Sequence, residues 1–269
     1  NRKTVRLYSD KIALIKNGRG VYSLDTSIGC SSGTAENKRG CYGECYAAKS
    51  GKLYGYDFSK TVLRVFKNNA HKREIINQVR NIKLPFVRIG TSGDPSENWE
   101  HTLSIIDAIK GCNKQIVVIT KHWTNLTDSQ IEFISGINIC INTSVSALDK
   151  QDLLTNSLIQ YNRLKPFCKS VLRIVSADFN QKNETGKHLN DLQELLFKNS
   201  DTLDTVLRCN KNNHFVKSGV INVTKSKFLG KSQYVSKYNK KTYLGKCSTC
   251  KEMCGIENMK PLTKQLTLL

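Results

Sequence analysis

The chain has 269 residues, 39% of them hydrophobic and only 4 of them proline, which suffices for one full core, alone or with an appendage, and excludes a disordered chain. No apolar run approaches the ~18 residues of a membrane span, so an integral membrane protein with helical spans is excluded. The formal charge of +20, from 42 basic against 22 acidic residues, attracts polyanions and points to a nucleic-acid partner, DNA before RNA. A lysine-rich, AT-biased genome would raise the same count. The segment Asn1 to Arg6 has no apolar core, so no secretory signal is expected, and the ten cysteines are expected to be reduced thiols in a cytoplasm.

Taken in chain order, Val21–Asp25 reads as a strand running into a loop rich in Gly, Ser and Cys. Apolar residues from Phe58 to Ile82 recur at mostly helical spacing. Phe86–Gly90 is a strand, His101–Ile109 a helix, Gln115–Thr120 a buried strand and Leu126–Ile134 a helix. The unit repeats: strand Ile137–Thr143, helix Asp149–Leu164, strand Val171–Val175, a helix around His188–Phe197, and a last strand over Leu203–Leu207. Strands separated by helices imply right-handed crossovers and a parallel sheet. The fold class is α/β, and about six units predict a partial or complete (β/α) barrel or an open sheet, short of the eight of a standard barrel.

Composition changes after Asp204. No Asp or Glu occurs from Thr205 to Lys251, while lysines recur with interleaved aromatics. The expected division is therefore an α/β barrel over 1–204 and a basic, metal-binding appendage over 205–269.

Two cysteine sets carry the chemistry. Cys30, Cys41 and Cys45 lie on the loop after the first strand, spaced C-x10-C-x3-C, with glycines that let the backbone fold around a ligand. Thiolates bind soft metals and iron–sulfur clusters, and three ligands leave one position open, which suits catalysis. Cys247, Cys250 and Cys254 form a second set, C-x2-C-x3-C, for which Cys209 or His214 is the expected fourth ligand, holding zinc or a second iron–sulfur cluster. Between them, Lys225, Lys227, Lys231, Lys237, Lys240 and Lys241 are the expected phosphate contacts, with aromatic residues to stack bases.

Asp94, Lys121, Ser144, Asp149, Ser176 and Asp178 follow strand C-termini, the edge where sites assemble in parallel α/β folds. Asp94 and Lys121 are candidate catalytic groups. Asp94 stands in Ser-Gly-Asp-Pro, so a turn or helix cap competes with function there.

The segment Leu24–Ala48 resembles the cluster loop of radical S-adenosylmethionine proteins, especially relatives of spore photoproduct lyase. It is more similar still to small phage-associated families with a GC…GC…CYA loop, including the mycobacteriophage gene-product-eighty-eight family. Arg88–Asp94 resembles their second-strand Gly-Asp motif, Ile119–Lys121 their strand-end TK, and Asn142–Ser146 a later Ser-containing strand end, covering about residues 20 to 195. The resemblance implies a radical-SAM-like barrel in which Cys30, Cys41 and Cys45 hold a [4Fe-4S] cluster. It further implies that Gly93 and Asp94 lie near the amino group of S-adenosylmethionine and Ser144 or Ser146 near its ribose. The family's usual loop is C-x3-C-x2-C with an aromatic residue before the last cysteine; here the spacing is longer and Glu44 holds that place.

The expected function is a radical-SAM-like iron–sulfur enzyme that modifies or repairs nucleic acid, in the host cytoplasm if the chain is phage-encoded. One alternative is a transglycosylase-like enzyme that exchanges a base of DNA for a deazaguanine, with a strand-end aspartate as nucleophile and structural zinc. The other is a non-catalytic, metal-stabilised nucleic-acid-binding protein.

Overall fold

The structure, a computed structural model, describes residues 6–250 and 253–256. Residues 1–5, and residues 251–252 and 257–269 of the expected appendage, lie outside the described residues.

Seven strands form one sheet: β1 (Ile15–Lys16), β2 (Tyr22–Ser23), β3 (Phe86–Ile89), β4 (Gln115–Thr120), β5 (Ile139–Val145), β6 (Lys169–Ser176) and β7 (Thr202–Val206). Their order in the sheet is their order in the chain. β1 and β2 pair antiparallel and every later neighbour pairs parallel. β1 and β7 do not meet, so the sheet is an open, partial barrel. The division at 204/205 drawn from composition falls inside β7.

Six helices accompany the strands: α1 (Tyr46–Tyr54), α2 (Asn69–Asn81), α3 (Trp99–Ile109), α4 (Asp128–Ser135), α5 (Gln151–Leu164) and α6 (Glu184–Phe197). Four of them, α2, α3, α4 and α6, start at side-chain caps that satisfy free backbone N–H groups. Asn68 accepts from His71 N, Asn98 from His101 N and Asn183 from Gly186 N, while Thr127 and Gln130 form a reciprocal capping box. The strand residues alternate between two buried faces. Val87, Ile89, Ile116, Val118, Ile139 and Ile141 pack against helices, and Phe86, Val117, Cys140, Val171 and Leu203 line the concave inner face.

The helical pattern expected over 58–82 holds only from Asn69 onward. Val62–Leu63 is instead a short strand antiparallel to Ser27–Ile28, and Val65 exchanges backbone hydrogen bonds with Asp10 and Ile12. Long-range pairing outweighs a loosely helical spacing of β-branched residues here.

The C-terminal stretch folds back onto the inner face. Cys247 and Cys254 join its apolar cluster, and the Cys254 carbonyl accepts from Asn142 Nδ2 on β5. A hairpin of Thr224–Phe228 and Lys231–Val235 buries Phe228 and Val235 against Val206. Among the described residues no helix is long and apolar enough to cross a membrane.

Candidate functional site

The three-cysteine loop is held at the C-terminal edge of the sheet. Cys30 caps the short helix Ser31–Thr34, its sulfur accepting from Gly33 N at 3.2 Å, and it lies 3.5 Å from Glu97 Oε1. Cys45 is the N-cap of α1. Gly40, at φ +75°, packs so tightly that an added Cβ would meet the Cys45 Cβ at 2.4 Å. That position tolerates only glycine.

All three sulfurs face one cavity of about 980 Å³, which also reaches Gly93, Asp94, Lys121 and Ser144. An ideal Cβ on Gly33 would stand 2.7 Å from the Cys30 sulfur and 3.5 Å from the Cys41 sulfur, so this glycine leaves the space between two candidate ligands clear. Among the described residues no three Cys, His, Asp or Glu side chains converge tightly enough for a single ion. A single tetrahedral zinc would draw its sulfurs to within ~4 Å of each other, whereas a multi-iron cluster spreads them.

Burial raises all three thiols. Cys30 is pushed up by desolvation, then by Asp94 and Glu97; Cys41 is pushed up to about 11 by desolvation, against the pull of Lys121. Cys45 is raised by desolvation, against the backbone N–H groups of Ala48 and Ala47. A metal or cluster held here would have to displace protons from neutral thiols.

Four buried side-chain polar atoms lack a hydrogen-bond partner among the described residues, and three of them belong to residues lining this cavity: Arg88 Nε, Thr91 Oγ1 and Trp123 Nε1. Trp123 stands beside Gly33, between the first two cysteines.

Structural pairs fix the loop. Lys121 Nζ donates to Asp149 Oδ1 at 2.6 Å and to the Tyr42 hydroxyl at 2.7 Å, and Tyr42 donates to Asp149 at 2.8 Å. Glu44 is buried in an ion pair with Lys49 and accepts from Asn210 N. It ties the loop to the chain after β7. Asp25 accepts from the backbone N–H groups of Gly90, Thr91 and Ser92, and so shapes the turn that leads to Gly93. Gly93 runs against the Ser27 and Gly29 carbonyls, which a Cβ would meet at 2.6 and 2.8 Å.

Both Asp94 oxygens are engaged, by Thr120 Oγ1, Ser96 N, Ser96 Oγ and Lys121 N. Burial pushes its carboxyl up while those donors pull it down. Asp94 thus caps the short helix Pro95–Glu97 and ties the turn after β3 to the end of β4, with three donors on Oδ1 and one on Oδ2, while the residue still borders the cavity. The Lys121 ammonium is likewise committed to its partners. Ser144 borders the cavity; Ser146 does not, its hydroxyl donating to the Val175 carbonyl.

The second cysteine set reaches the same cavity from the inner face of the sheet. Arg88 and Arg173 each approach the Cys254 sulfur, at 3.8 and 3.9 Å. Cys209 is elsewhere, packed with Ala177, Leu207 and Val220, and His214 stacks on Phe215. Neither comes to the set it was expected to complete. Lys225, Lys227, Lys231 and Lys240 are exposed on and near the hairpin, Lys237 is half-buried, and of the six lysines Lys241 alone lines the cavity. Asp25, Glu97 and Trp123 were not singled out by sequence; the strand end at Asp25 was the available signal.

No family model matches the chain, and no curated protein matches it. Among solved structures it is similar to a mutant spore photoproduct lyase with bound AdoMet and dinucleoside spore photoproduct, at 14% identity and a TM-score of 0.49, over 88% of this chain and 73% of that one. A likeness at that level says nothing about chemistry.

Proposed function

We propose that the chain is a radical-S-adenosylmethionine-like iron–sulfur enzyme acting on nucleic acid, with DNA, phage DNA in particular, as the favoured target. The observation that carries this reading is that Cys30, Cys41 and Cys45, from one loop, line one large cavity. The ordered sequence motifs support the same reading.

The donor set fits a cluster: three thiols and a glycine that clears the space between two of them. Cys30, Cys41 and Cys45 would hold the iron, leaving one position for S-adenosylmethionine. Such a pair, when bound, supplies one-electron chemistry, and the protein supplies position. Gly93 keeps its backbone clear of a side chain beside the loop, Ser144 offers a hydroxyl at the opposite strand end, and the buried Lys121–Asp149–Tyr42 group holds the loop still. The excess positive charge supports a polyanionic substrate.

The base-exchange alternative would need Asp94, Asp149 or Asp178 as nucleophile; Asp94 is held in a capping role and Asp149 in the pair with Lys121. The test is anaerobic incubation of the reduced protein with S-adenosylmethionine, followed by chromatography for 5′-deoxyadenosine. Formation that disappears in Cys41→Ala supports the reading; a colourless protein holding zinc alone overturns it.

A further inference from the structure

Four guanidiniums line the cavity without a carboxylate partner. Arg19, Arg88, Arg173 and Arg208 all border it, and none takes part in an ion pair among the described residues. The acids of the cavity are committed elsewhere: Glu44 to Lys49, Asp94 to Thr120 and Ser96, and Asp204 to Ser176 and Thr242. Arg88 is buried, with its Nε unpartnered. Arg19 and Arg208 stand over the same Phe228 ring, 5.5 and 4.8 Å from its centroid. Two like charges held on one ring repel each other in a partly desolvated place, and an anion between or beside them relieves that cost. Arg is also the residue whose planar fork suits phosphate.

We propose that Arg19 and Arg208, backed by Arg88 and Arg173 on the cavity floor, form a phosphate-binding wall that seats the backbone of a single nucleic-acid strand inside the cavity. The inference rests on the nucleic-acid reading above and deepens it. It moves the principal contact from the exposed hairpin lysines to the cavity, where a strand would lie within reach of the cysteine loop. Phe228, flanked by both guanidiniums, closes the hairpin end of this wall.

The test is fluorescence anisotropy of a labelled single-stranded oligonucleotide against the full chain, purified anaerobically, across a salt series. Arg19→Gln/Arg208→Gln is expected to weaken binding about tenfold at ~0.1 M salt and to flatten the slope of log affinity against log salt by about 1.4, the share of two phosphate contacts. Arg19→Lys/Arg208→Lys keeps both charges and is expected to restore most of the slope. Circular dichroism confirms folding, and if the Gln variant fails to fold, Arg208→Lys and Arg208→Gln compared singly give the same slope test. Unchanged affinity and slope in the Gln variant, with loss instead in Lys225→Gln/Lys227→Gln/Lys231→Gln, overturns the wall and leaves the nucleic-acid reading standing. No binding by the wild-type chain overturns that reading, and the wall with it.

Discussion

Lys121 and Asp149 form a buried ion pair at 2.6 Å, with side chains 9% and 4% exposed, and the Tyr42 hydroxyl bonds to both. Tyr42 immediately follows Cys41, so the pair fixes the middle of the cysteine loop to the ends of β4 and β5. Removing one partner strands the other charge in the interior, a cost of about 3–5 kcal/mol. Lys121→Met is therefore expected to lower the unfolding free energy from urea melts by that amount. Lys121→Met/Asp149→Leu should be less destabilising than Lys121→Met alone, because no lone charge remains. A double variant that costs the sum of the singles would show that the two residues act independently.

Gly33 separates two candidate ligands. A methyl group there would meet the Cys30 sulfur at 2.7 Å and the Cys41 sulfur at 3.5 Å. Gly33→Ala should fold with a melting temperature close to wild type, since the site is at the loop surface, yet hold much less iron. Iron content equal to wild type would place the metal somewhere other than between these sulfurs.

Trp123 Nε1 is buried without an acceptor among the described residues. If it donates to a bound centre, Trp123→Phe keeps the ring and removes one hydrogen bond, and reduction potential follows hydrogen bonds to the sulfurs. The expected outcome is a more negative midpoint potential with unchanged iron content. An unaltered potential would make the indole a packing residue.

His122 is buried, with Nε2 3.0 Å from Thr143 Oγ1, and desolvation lowers its pKa to about 3. An unfolded histidine titrates near ~6.5, so below that value the unfolded chain takes up a proton that the folded chain refuses. This contribution is fully present above ~6.5 and is lost as pH falls toward 3. Between pH 7 and pH 5 it amounts to about 2 kcal/mol. His122→Asn is expected to flatten the acid limb of a stability profile from urea melts by that amount. An identical limb in both proteins would exclude His122 as its source.

Much of this architecture is legible in the sequence because local and global preferences agree. The runs Ile116–Ile119 and Ile139–Ile141 are apolar on both faces, which is what a parallel sheet under helices requires. The cysteine loop is legible because thiols, glycines and spacing coincide. The roles of Asp25 and Glu44 are not, because each depends on backbone groups 65 or more positions away. Asp94 shows the limit most clearly: a strand-end aspartate reads alike whether its oxygens are free or capped, and only the positions of Thr120 and Lys121 decide. Likewise the lysines from Lys225 to Lys240 stand out by composition, while the four cavity arginines, without carboxylate partners among the described residues and far apart in sequence, come together only on folding.

The most direct measurement is iron and acid-labile sulfide in the anaerobically purified chain, compared with Cys30→Ala/Cys41→Ala/Cys45→Ala. The expected result is a brown wild-type protein, bleached by dithionite, with about four irons lost together in the triple variant. A colourless wild-type protein, or iron retained in full by the triple variant, would contradict the assignment of the cluster to this loop.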